Sequence, residues 1–228
     1  MSARPIIVAV DGPAGSGKSS VCAEASRRLQ WGYVNTGLVY RAFAYLSSSL
    51  SDEEITNQLP RIISNVNEFL TWDALNHQMF YQGENITAAL ITDQMGERAS
   101  KLAKLPEVRQ GVLELQRKFA MSSPKGVILD GRDIGTVVFP DADVKVFLTA
   151  SIEERARRRF LQLQRKGLAE GMSYLKIASA MALRDSQDRA RKVAPLIQAA
   201  DAVLLDTSNM DEEQAVANLV EIIHGAIK

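Results

Sequence analysis

The sequence predicts an α/β fold, with a five-stranded parallel sheet covered by helices and a small antiparallel sheet inserted in it. Three observations carry that reading. Short apolar, β-branched runs alternate with longer stretches of helical periodicity along most of the 228 residues. A glycine-rich turn separates the first apolar run from the first helical stretch. Residues 67–87 interrupt the alternation with closely spaced short strands and turn sequences.

In chain order, residues 6–10 (IIVAV) read as a buried strand closed by Asp11 and Gly12. A helix over 18–30 turns Val21, Ala25 and Leu29 toward a core. Tyr33 and Val34 form a second short strand, and helical character resumes over 36–46. Serines at 47–51 make a polar break before a helix near 53–66. Strands over 68–72, 77–81 and 85–87 are separated by turns at 73–76 and 82–83. Helical periodicity returns over 92–120, broken near Pro106. Three further strands, 127–129, 144–148 and 202–205, are spaced by long helices. A last helix sets Ala215, Leu219, Ile222 and Ile223 on one face. Strands alternating with helices demand crossover connections, hence a parallel sheet with helices on both faces.

Composition narrows the function classes. The chain is 46% hydrophobic and 24% charged, an ordinary globular balance rather than a disordered one. Lysine plus arginine equals aspartate plus glutamate at 27 each, so the net charge is zero. A general nucleic-acid coat normally carries a basic excess, and no nucleic-acid partner is expected. No apolar run approaches the roughly 20 residues that span a bilayer, and no membrane partner is expected. The lone Cys22 excludes an internal disulfide and suits a reducing compartment. The first residues enter a strand without a cleavage pattern, which fits a cytoplasmic protein.

The segment GPAGSGKS, residues 12–19, matches G-x-x-x-x-G-K-[ST] and lies between a strand and a helix, the context that motif requires. Glycines let backbone amides turn inward and meet phosphate oxygens without interference from side chains. The helix that follows adds the positive end of its dipole. Gly12, Pro13, Ala14, Gly15, Ser16, Gly17, Lys18, Ser19 and Ser20 are therefore the candidate nucleotide-binding residues. Lys18 supplies a charge for the outer phosphates, and the Ser19 hydroxyl suits magnesium. The fold expectation becomes a P-loop NTPase fold, with a nucleoside triphosphate and Mg2+ as the implied ligand and metal.

Switches, motors, nucleic-acid remodellers and kinases share this loop. In GVILDGRD, residues 126–133, Asp130 ends a buried strand, where a carboxylate can hold magnesium through water. Arginines are dense elsewhere: Arg41, Arg132, Arg155, Arg157, Arg158, Arg159, Arg184, Arg189 and Arg191. Planar guanidinium groups suit phosphate recognition and stabilise charge on a transferring phosphoryl group. The basic stretch 153–166 reads either as a solvated helix face or as a lid over phosphates. Neither His77 nor His224 looks like a general base. An acceptor that is itself a phosphate, with second pKa about 6, needs none. Positioning and charge neutralisation then suffice. A kinase acting on a metabolite hydroxyl, and a nucleotide-dependent switch or nucleic-acid ATPase, are the competing readings. No guanine-reading N-K-x-D sequence occurs.

Taken together, GPAGSGKS, NTGLVYR (35–41), SKLAKLPEVR (100–109), GRDIGTVVFPDA (131–142), the RD-x-x-DR-x-R segment (184–191) and VAPL (193–196) resemble bacterial cytidylate kinase over nearly the whole chain. The resemblance implies transfer of the ATP γ-phosphoryl group to CMP or dCMP with magnesium, in the cytoplasm, and a strand order of 2-3-1-4-5. It places the pyrimidine site on Thr36, Ser100, Arg109, Asp133 and Arg191. Cytosine offers acceptors at N3 and O2 and a donor at its 4-amino group, and uracil reverses the polarity at positions 3 and 4. By the same resemblance Arg184 and Asp188 address the sugar, while Arg41, beside Tyr40, and Arg132 hold the acceptor phosphate. Arg157 and Arg159 look like lid residues. Thr36 departs from the serine common there: its hydroxyl is retained, and the added methyl bears on sugar tolerance. The expected organisation is one kinase domain over 1–228, with an acceptor-binding insertion at 36–120, a lid at 152–190 that is open without ligand, and a monomeric state.

Overall fold

The computed structural model describes residues 4–165, 167 and 169–227. Five strands form one sheet: β1 (Ile6–Asp11), β2 (Gly32–Asn35), β6 (Gly126–Gly131), β7 (Val144–Thr149) and β8 (Val203–Asp206). They run in the order β2-β6-β1-β7-β8, the order 2-3-1-4-5 expected of the P-loop NTPase fold. β1 pairs parallel with β7, Val8 opposite Val144, and β7 pairs parallel with β8, Leu148 opposite Leu205. A separate antiparallel sheet comprises β3 (Leu70–Asp73), β4 (Gln78–Tyr81) and β5 (Glu84–Asn85). The chain divides into two compact units: Met1–Ile7 with Gln30–Leu129, and Val8–Leu29 with Asp130–Lys228.

In the first unit, α2 (Thr36–Leu46) and α3 (Asp52–Phe69) are separated by the polar break, and Ser51 starts α3 with a capping box to Glu54. The helical stretch over 92–120 is broken near Pro106 as expected, into α5 (Asp93–Leu102) and α6 (Pro106–Met121). Pro106 sits in the first turn of α6, where its missing N–H costs nothing. The small sheet differs from expectation at both ends. Residues 68 and 69 finish α3 rather than open β3, and Thr87 opens the short helix α4 (Thr87–Leu90) rather than extending β5. The Asn85 side chain accepts the Thr87 N–H at 3.0 Å, a local turn that stops the strand. Trp72 of β3 donates its indole N–H to the Tyr33 carbonyl of β2 at 2.6 Å. Phe43, Ile55, Leu70, Met79, Leu90 and Leu115 are among the fully buried side chains here.

In the second unit, α1 (Lys18–Leu29) packs beside α9 (Glu212–Ala226), and Arg28 forks onto Glu213 at 2.8 and 2.5 Å. α7 (Ile152–Arg165) and α8 (Tyr174–Arg189) pack around Ala156, Leu163 and Ile177, with Phe160 and Met181 against them. Gly167 and Gly171, both at positive φ, lie between these helices. Lys166 and Leu168, inside the expected 152–190 lid, fall outside the described residues. A single π-helical turn, Ile134–Val138, follows β6 and is a feature that periodicity did not predict. No helix among the described residues is long and apolar enough to cross a membrane.

Candidate active site

The candidate residues fall into two groups, one in each unit. The phosphate loop belongs to the second unit, carried between β1 and α1. Gly12 is required by close approach: a Cβ there would lie 1.9 Å from the Leu148 carbonyl oxygen. Gly15, at φ 74°, adopts a backbone conformation that side chains resist, and its Cβ would meet the Met181 methyl at 2.5 Å. Lys18 is buried and folded back along the loop, donating to the Pro13 carbonyl at 2.8 Å and to Ser16 Oγ at 3.3 Å. Burial pushes its pKa down to about 7, and the neighbouring Arg132 charge pushes the same way. Burial likewise raises the Cys22 thiol.

Ser19 donates its hydroxyl to Asp130 Oδ2 at 2.7 Å. The pair sets a hydroxyl and a carboxylate side by side at the start of α1 and the end of β6. Both are hard oxygen donors, the chemistry that suits magnesium, which keeps most of its waters and takes few protein ligands. The residues fit the metal that the loop implies.

After β6 the chain brings two predicted arginines onto one predicted carboxylate. Asp188 of α8 is 1% exposed. It accepts Arg132 Nε on Oδ2 at 3.0 Å and an Arg191 amino group on Oδ1. Arg184 lies one turn before Asp188 on α8, half-buried. Asp133, also buried, precedes the π-helical turn.

The arginines of α7 divide sharply. Arg155 is buried, pairs with Asp185 of α8 at 2.6 Å, and donates to the Ala14 carbonyl of the phosphate loop at 3.0 Å. Arg158 donates to the Ser16 carbonyl at 3.1 Å and to the Thr207 carbonyl at 2.6 Å. Arg157 is exposed and forks onto Glu154 at 2.7 and 2.8 Å, and half-buried Arg159 reaches Gln162 at 2.6 Å. The Arg157 guanidinium, with some help from Arg158, holds the Glu154 carboxyl down at about 2. Sequence reasoning counted Arg155 and Arg158 only as part of a crowd and passed over Asp185. A 3.6-residue projection of α7 separates 155 and 158 from 157, which is the signal that was present.

The first unit holds the other group. Thr36 is buried at the start of α2, whose N-cap Asn35 accepts the Leu38 N–H at 3.3 Å. One turn on, the Tyr40 ring lies under the Arg109 guanidinium of α6, 5.8 Å from its centroid. Arg109 is buried and donates to the Ala103 carbonyl at 3.3 Å. Arg41 donates to the Leu90 and Thr92 carbonyls at 2.8 and 2.7 Å. Gly96 makes room for it, since a Cβ there would lie 2.8 Å from the guanidinium. Ser100 sits half-buried in the last turns of α5.

Comparison with known proteins bears on both groups. The family model described as cytidylate kinase matches residues 8–225. A cytidylate kinase from Magnetococcus marinus is 41% identical over 222 residues, covering 97% of this chain and 96% of its own. The cytidylate kinase of Azotobacter vinelandii is 40% identical, covering 98% and 97%. That of Mannheimia succiniciproducens is 41% identical, covering 99% of both. Among solved structures, a protein from Eubacterium ventriosum aligns over 97% of this chain with a TM-score of 0.52 at 13% identity, a likeness of fold. Matched from the phosphate loop to the last helix, the chain belongs to the cytidylate kinase family.

Proposed function

We infer that this chain transfers the γ-phosphoryl group of ATP directly to the phosphate of CMP or dCMP, giving CDP or dCDP. The family match over residues 8–225 carries the reading. The attacking oxygen belongs to an ionised phosphate, so the chain need not remove a proton from it. Its residues position two anions and neutralise the charge that builds between them.

The phosphate loop, Gly12 to Ser20, cradles the donor. Lys18 sheds the Pro13 carbonyl and turns to the outer phosphates, whose negative charge restores its own full protonation. Ser19 would hold magnesium, with Asp130 assisting through water, and the metal, when bound, would offset phosphate charge. Arg132 and Arg41 hold the acceptor phosphate. Arg184 and Asp188 meet the sugar, and Thr36, Ser100, Arg109, Asp133 and Arg191 read cytosine. Tyr40 supports this reading by setting its ring under the Arg109 guanidinium, 5.8 Å from the centroid. Arg157, exposed on α7 with Glu154, and Arg159, which reaches Gln162, are suited to swing onto the phosphates as the 152–190 lid closes. The insertion 36–120 carries the acceptor-side residues of the first unit. The protein acts as a cytoplasmic monomer without nucleic acid or membrane.

A coupled ADP-release assay across CMP, dCMP, UMP, AMP and GMP tests this. CMP and dCMP should release ADP fastest, with UMP at least about tenfold slower, the discrimination expected when a site's polar groups meet reversed partners. Equal rates with a purine monophosphate, or undiminished ADP release without acceptor, would overturn it.

A further inference from the structure

The turn that follows β6 is capped from far away in the sequence. Ile134–Val138 is a π-helical turn: the Val138 N–H reaches back to the Asp133 carbonyl at 3.2 Å and the Phe139 N–H to Ile134 at 2.7 Å. Such turns cost hydrogen-bond geometry and concentrate at functional positions. Asp133 occupies the N-cap position, where aspartate normally accepts an N–H of the first turn with its own side chain. Here it makes no such bond. Instead, Asp11 at the end of β1 takes both leading amides: Oδ1 accepts the Ile134 N–H and Oδ2 the Gly135 N–H, each at 2.8 Å. Asp11 is 5% exposed and immediately precedes Gly12. At Gly135 a Cβ would stand 3.5 Å from Asp11 Oδ2, an ordinary contact, and 3.2 Å from the Lys145 side chain.

We propose that Asp11 is a positioning residue for acceptor recognition, fixing the backbone on which Arg132 and Asp133 stand to the strand that carries the phosphate loop. It touches neither substrate. One aspartate thereby ties the acceptor-reading turn to the donor loop. This rests on the reading that Asp133 meets cytosine.

The test uses Asp11→Asn, which keeps the shape and one acceptor but turns an amide donor toward the second N–H. Steady-state kinetics of Asp11→Asn, Asp133→Asn and the double variant are compared with the native chain. KM for CMP should rise about tenfold in Asp11→Asn, the loss of one charge-assisted hydrogen bond, with KM for ATP held within about twofold. The two substitutions should be less than additive on KM for CMP, because they act through one turn. A parallel rise in both KM values, or full additivity, contradicts the proposal. Amide exchange is read at Ile134 and Gly135 in the native chain, and rapid exchange at both would also contradict it, whether or not the variants fold. If Asp133→Asn alone leaves the CMP-to-UMP preference unchanged, the cytosine reading fails. Faster exchange at Ile134 and Gly135 in Asp11→Asn would still show the cap to hold, and unchanged exchange would sink it.

Discussion

The phosphate loop and helix α7 lie in the same unit and both carry residues suited to phosphate, yet they are built on opposite principles. In the loop, consecutive residues share one task, and the backbone is shaped so tightly that a methyl at Gly12 would strike the Leu148 carbonyl at 1.9 Å. On α7, neighbouring arginines have different tasks. Arg155 and Arg158 grip the loop's own carbonyls at Ala14 and Ser16, whereas Arg157 is exposed on the Glu154 carboxylate and half-buried Arg159 reaches the Gln162 amide. Part of the basic helix is a brace, and Arg157 is a surface charge. The difference teaches that a run of one residue type need not be one functional unit: the partners that each head meets, not its membership of the run, decide which heads are committed.

Five substitutions probe that contrast, from the largest effect down. Lys18→Ala should fold and lose about a thousandfold in kcat, as expected for removing a preorganised charge from the transferring group. Single-turnover rates with circular dichroism check both parts. Near-native turnover would take Lys18 out of the chemistry.

Arg155→Met strands Asp185 as an uncompensated buried charge. It should cost about 3–5 kcal/mol, a fall in Tm on the order of 10 °C for a chain of this size. Calorimetry reads this directly, and a shift below about 2 °C would show the brace to be unimportant.

Arg109→Met and Arg191→Met should each raise KM for CMP and narrow the preference over UMP by about tenfold, with KM for ATP little changed. Unaltered discrimination in both would remove them from cytosine recognition.

Arg157→Ala is the counterpart of Arg155→Met on the same helix. Its pairing with Glu154 is exposed, so stability should change by less than about 1 kcal/mol. If Arg157 serves the closing lid, kcat should nonetheless fall at least about tenfold. A variant stable and fully active would make the outward arginines a solvated face.

The parts legible in the sequence are those whose signal is local. The strand, glycine loop, lysine and helix fall within one stretch, residues 6–30, and the Asp130 strand end reads from eight residues. The five strands of the main sheet were visible because buried parallel strands are short continuous apolar runs. What could not be read depends on distant partners. Asp11 meets Ile134, and Arg155 meets Ala14, across more than a hundred residues, and no spacing announces such pairs. The end of β5 was misjudged because an Asn85 side chain, not the strand pattern, decides where pairing stops. The π-helical turn lies outside both periods on which sequence reading rests.

The central claim is that the transferred group ends on a phosphate of a cytidine nucleotide. ATP labelled at the γ-phosphorus should be incubated with CMP, magnesium and the native chain, and the product resolved by phosphorus NMR. The label should appear in the β-phosphate of CDP, with little as inorganic phosphate. Label found in free phosphate, or on a sugar hydroxyl of the acceptor, would contradict the account.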